Sequence, residues 1–140
     1  MLELLERSDV ARSAESLRLF AHLLAAERIW LLRLRGEDSA GQPIWPDLPL
    51  VELNATRAAN ETDYTRYLQT LTHGDLQREI EYGNSRGVPF RTSVLDVLTH
   101  VALHGSYHRG QIARAMRSAG EEPVNTDYIA YARESMEGGD

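Results

Sequence analysis

The sequence contains no cysteine. That excludes disulfides, thiolate zinc sites and a cysteine nucleophile in one step, and it suits a bacterial cytoplasm, the compartment expected here. Long apolar runs are also missing: none approaches the roughly 20 residues needed to cross a bilayer. The N-terminus, MLELLERSDVARSAES, lacks the basic start and apolar block of a signal peptide. Positive charge is in short supply, with 15 basic against 21 acidic residues and a net charge of −6. A general nucleic-acid binder needs a basic stripe to offset phosphate charge, and docking on anionic lipid needs the same. Neither nucleic acid nor membrane is an expected partner. Internal repeats and low-complexity tracts are absent as well.

What remains is an ordinary globular composition, 42% hydrophobic and 26% charged over 140 residues. It is enough for a single domain, 1–140, with one modest core. Residues 2–7 (LELLER) read as the end of a helix broken near Ser8 and Asp9. Ser13 is a good N-cap for a helix that runs to about Arg35 and stops at Gly36, a typical position just past a helix end. Residues 36–49 hold two Gly and three Pro and must be a loop. A second long helix fits Leu50 to about Thr72, with Leu53, Tyr64, Tyr67 and Leu71 on one stripe. Residues 78–92 alternate, turn at GNSRG and return, which predicts a short hairpin or an extended excursion. Ser93 then caps a third long helix to about Ser118, with Gly120 beyond it. A short helix over about Thr126 to Met136 closes the chain. The fold class is all-α, a bundle of long helices with a hairpin-like excursion before the last long one.

Three histidines recur at four-residue spacing in HVALHGSYH: His100, His104 and His108. Residues i and i+4 of a helix lie about 40° apart around the axis and about 6 Å along it. Two imidazoles so placed can converge on one ion at about 2.0–2.1 Å. His100 and His108 are about 12 Å apart along the axis, too far to share one. The apolar stripe Val94, Val97, Leu98, Val101, Ile112, Ala115 and Met116 takes in His104 and His108, with His100 at its margin beside Tyr107 and Gln111. A buried imidazole needs partners for both ring nitrogens, and a shared metal would satisfy one on each ring. Hydrogen-bonded core histidines without a metal are the competing reading. His22 is the candidate third ligand, since its helix is apolar nearly all round. His73 follows the end of the second helix and reads as solvated.

Smaller expectations attach to other residues. His100, Tyr107 and Gln111 could contact substrate or support a ligand imidazole; an exposed polar margin is the blander account. Arg109 suggests a structural ion pair rather than an anion clamp. Gly105 and Gly110 suggest close helix approach. Glu27 projects onto an apolar face, where it should pair with an arginine or a backbone donor rather than ligate. Arg57 and Asn60 could line a pocket mouth, with an interhelix hydrogen bond the simpler account. Trp45 and its proline-rich loop are candidates to cover the site, although nothing in the sequence places them there.

HGSYHRGQIARAMRSAG, taken with FAHLLAAERIWLLRL, resembles the DinB/YfiT-like family of bacterial metalloproteins. The resemblance covers most of residues 16–134, and HxxxHRGQ is its most specific element. It implies an up-down-down-up four-helix bundle carrying an open triad of one early and two late histidines on nickel, zinc or a similar divalent ion. The matching positions are His22, His104 and His108, and His100 matches a common family histidine that does not ligate. Only the tail of the family's first helix is recognised, in MLELLE; either the gene start is placed late or a neighbouring subunit covers the exposed groove, and a homodimer is the expected assembly.

Some relatives use such a site for thiol transfer with low-molecular-weight thiols such as mycothiol, bacillithiol or glutathione. Three protein ligands leave room for water or substrate, as in catalytic rather than structural zinc sites. Two classes of function follow: a metal-dependent thiol transferase or hydrolase acting on a small molecule, and a metal-binding or stress-related scaffold without catalysis. No unpaired carboxylate stands out near the three histidines to decide between them.

Overall fold

A computed structural model describes residues 14–137. Four α-helices and one small antiparallel hairpin make up its regular structure: α1 (Ala14–Leu34), α2 (Leu50–Thr70), β1 (Glu79–Gly83), β2 (Pro89–Ser93), α3 (Val94–Ser118) and α4 (Tyr128–Glu137), with a 3₁₀ turn at Gly74–Gln77. The predicted boundaries hold to within about two residues, the usual scatter of helix ends. Gly36 and Gly120 take positive φ of 71° and 79° just past α1 and α3, the left-handed conformation that ends helices at low cost. Ser93 caps α3 by accepting from the backbone N–H of Asp96. The expected N-cap at Ser13, the helical tail in residues 2–7 and the truncated first helix lie outside the described residues.

Helix directions follow from what packs with what. Phe20, Leu23 and Leu24 of α1 join Leu53 of α2 and Ile112 and Met116 of α3 in one cluster. Leu31 and Leu34 join Tyr67 of α2 with Val94 and Val97 of α3 in another. Early α1 therefore meets early α2 but late α3. Helices α1 and α2 run parallel and α3 runs against both, which is the down-down-up part of the expected topology.

Parallel neighbours cannot be joined by a tight turn. The chain must return the whole length of α1, about 30 Å at 1.5 Å per residue, and residues 35–49 do this. Fully extended they could reach about 50 Å, so the loop has slack to fold against the helix it passes. The hairpin sits at the opposite end of α1 from His22: Ile80 of β1 is buried with Leu31, Leu34, Val94 and Val97. Register is fixed by five pairs from Glu79↔Ser93 to Gly83↔Pro89. The returning loop and the hairpin thus flank one face of α1. No helix among the described residues is long and apolar enough to cross a membrane.

Candidate metal centre

His22 is on α1, and His104 and His108 are one turn apart on α3, the helix that packs most extensively against α1. His22 and His108 are buried and His104 is half-buried. One ring nitrogen from each lies within 4.8 Å of the other two. The His104 and His108 Nε2 atoms are 3.1 Å apart. Two nitrogens at about 2.0–2.1 Å from a tetrahedral ion lie about 3.3 Å from each other, so this pair already has nearly the spacing an ion would impose.

The far sides of two rings are tied down. His108 Nδ1 lies 2.7 Å from Gln111 Oε1, and a carboxamide oxygen only accepts, so Nδ1 carries the proton and Nε2 is left with its lone pair. His22 Nδ1 donates to the Ile44 carbonyl at 2.8 Å, with the same consequence for its Nε2. Partners behind a ligand ring that set its tautomer in this way are the usual support of an imidazole metal site. Replacing Gln111 with leucine is expected to weaken metal binding by about 10- to 100-fold, measured by calorimetric titration, with the fold unchanged.

Burial favours the neutral form of His104 and His22. Burial holds the His104 imidazolium down to about pKa 4, with the neighbouring His108, His22 and His100 pushing the same way. Burial also lowers the His22 pKa, against the raising effect of the Ile44 hydrogen bond. Neutral imidazoles are the form that binds a metal.

The loop returning from α1 closes over the site. Trp45 stacks on His22 with ring centroids 3.8 Å apart and 9° between planes, and the Arg18 guanidinium lies 4.7 Å from the indole centroid. Sequence reasoning offered Trp45 as a cover without a reason to place it. The reason is the parallel α1–α2 pair, which sends residues 35–49 back past His22.

The remaining candidates divide. Gln111 contacts His108 directly, so the exposed-margin account fails for it. Tyr107 is 65% exposed, with its ring edge-on to His108 at 5.2 Å. His100 is exposed, 5.4 Å from the His104 ring and 5.1 Å from Trp30, and it is not among the three converging residues. Gly105 does not serve helix approach: a Cβ there would meet the Arg109 guanidinium at 2.9 Å, and nothing lies within 4 Å of one at Gly110. Arg109 makes no ion pair within 4 Å among the described residues; its charge acts on Glu27 at longer range. Glu27 accepts from the Asn60 amide rather than from an arginine or the backbone. Asn60 also donates to the Leu24 carbonyl at 3.0 Å, the expected interhelix bond. His73 is exposed.

An all-α bundle with three imidazoles gathered between two of its helices defines the class of protein. A model of the DinB family matches residues 3–138, and the chain belongs to that family. It is also 36% identical over 67 residues to Protein DinB of Bacillus subtilis (strain 168). That stretch is 47% of this chain and 39% of the relative, so the match spans well under half of the Bacillus protein's length. No solved structure gives a significant match.

Proposed function

We infer that the protein binds one divalent transition metal through His22, His104 and His108 and is a metal-dependent enzyme acting on a small molecule. The observation that carries this reading is the convergence of three ring nitrogens, two of them on rings whose other nitrogen is already hydrogen-bonded. Hydrogen-bonded core histidines would not need that convergence. An all-imidazole donor set suits nickel or zinc. A bound ion with three protein ligands would hold a water or an external thiolate in its open position and lower that group's pKa.

The chain's own residues supply the rest. Gln111 and the Ile44 carbonyl aim the rings, and Trp45 shields His22 from water. Among the described residues the cluster consists of histidines, with no carboxylate among its potential ligands. That composition suits thiol transfer, for which a bound metal would lower the pKa of the thiol, better than hydrolysis assisted by a protein base. With no cysteine in the chain, the thiol would be a low-molecular-weight cosubstrate. We place the protein in the bacterial cytoplasm as a homodimer, with neither nucleic acid nor membrane as partner, on its acidic composition and the family's architecture.

The test is metal analysis followed by assay. Purified protein is expected to hold close to one equivalent of metal. Nickel- or zinc-loaded protein should then consume thiol in the presence of an electrophile. Stoichiometric metal with complete inertness towards thiols and common esters would leave the non-catalytic scaffold as the reading.

A further inference from the structure

We propose that the cavity beside the histidine cluster takes an elongated, largely apolar molecule bearing a carboxylate at one end, and that Arg33 binds the carboxylate. The proposal rests on the metal-centre reading only for where the other end of the molecule lies. The cavity has a volume of about 1090 Å³. Its floor is a single stripe of α1, since His22, Ala26, Ile29 and Arg33 all line it and such spacings fall within about 60° around a helix. His22 and Arg33 are about 16 Å apart along the axis. The returning loop forms one wall and the hairpin the other, with Trp30, Ile44, Trp45 and Tyr82 as apolar surface between the two ends.

Arg33 is held in place, and its two terminal nitrogens are unused among the described residues. Its guanidinium carbon lies 4.5 Å from the Trp30 ring centroid and 4.9 Å from that of Tyr82. These two rings orient the guanidinium and strip water from it, and burial correspondingly lowers its pKa. Nε donates to Ser39 Oγ at 3.2 Å. Neither terminal nitrogen meets an acceptor, and no carboxylate lies within 4 Å of the group, among the described residues. The acidic side chains of the same cavity do not neutralise it. Glu81 pairs with Arg91 at 3.3 Å, Asp38 accepts from the Ala40 N–H at 2.8 Å, and Glu37 is exposed. A half-buried guanidinium with both terminal nitrogens open, at one end of a cleft that Trp30, Ile44, Trp45 and Tyr82 line with apolar surface, is matched by a carboxylate held through two parallel hydrogen bonds.

The test uses decanoate and decanol as probes on the full-length, zinc-treated protein, followed by calorimetry and by the fluorescence of Trp30 and Trp45, which both line the cavity. Decanoate is expected to bind more tightly than decanol. Arg33→Gln should weaken decanoate by about 10- to 100-fold, the scale of a charge-assisted pair, with decanol little changed. Arg33→Lys should recover only part of the loss, because an ammonium lacks the fork. Stripping the metal with a chelator should leave decanoate binding intact. If chelation abolishes decanoate binding while Arg33→Gln does not, the carboxylate sits on the metal and the proposal is wrong. It is equally wrong if decanoate binds no better than decanol to the unaltered protein, a comparison that needs no variant to fold. Absence of zinc with Arg33-dependent decanoate binding would instead sink the metal reading and leave the Arg33 site standing.

Discussion

His104→Ala is expected to abolish stoichiometric metal binding while leaving the helical content unchanged. The side chain is half-buried at the cavity edge, so its removal opens space towards solvent rather than a void in either apolar cluster. What it removes from the site is larger. With His104 gone, His22 and His108 remain as an interhelical pair on α1 and α3, and the one-turn pair on α3 that is already spaced for an ion no longer exists. Affinity should fall by more than the roughly 100-fold that is the upper end for losing a partner behind a ligand. Metal analysis of dialysed protein and a competitive chelator titration read the effect directly. Equal metal content in His104→Ala and the unaltered protein would remove His104 from the site.

A second expected result concerns stability. A metal present at about 100 times its Kd should stabilise the folded state by about 2.7 kcal/mol, which for a domain of this size is a rise of about 10 °C in the melting temperature. Without metal, stability should decline as pH falls from about 6.5 towards 4. The sign follows from His104, whose pKa is about 4 when folded against the ordinary imidazole value of 6.5. Between those values the unfolded chain binds the proton and the folded protein does not, so acid favours unfolding across that window and stability is full only above it. His104→Phe should flatten this part of the profile, because the titrating group is gone. Thermal melts at several pH values, with zinc and with a chelator, would check both statements. A profile unchanged by His104→Phe would contradict the assignment of the slope.

The helices and the histidine pair were legible because each is a local matter. Four-residue spacing, an apolar stripe and a capping serine are written within one helix, and Val94, Val97, Ile112 and Met116 are buried where the stripe put them. His22 was readable by the apolar character around it. The groups behind the ligands were not. Whether Gln111 turns towards His108 depends on a rotamer chosen at the edge of the site, and Ile44 meets His22 across 22 positions of sequence along a loop without periodicity. The direction of α2 relative to α1 decides the path of that loop, and direction is a tertiary property. Gly105 shows the same limit at smaller scale: the sequence suggested a neighbouring helix, and the occupant of the space is the chain's own Arg109.

The Ile44 carbonyl gives the site a property that the histidines alone would lack. It belongs to a connection between two parallel helices, yet it fixes which nitrogen of His22 is free. Loop position and ion affinity are therefore two readings of one equilibrium. Anything that holds residues 36–49 against α1 would tighten a bound metal, and by thermodynamic reciprocity a bound metal would hold those residues down to the same degree. A connector whose length was set by helix direction would thus also serve as a handle on the candidate metal centre.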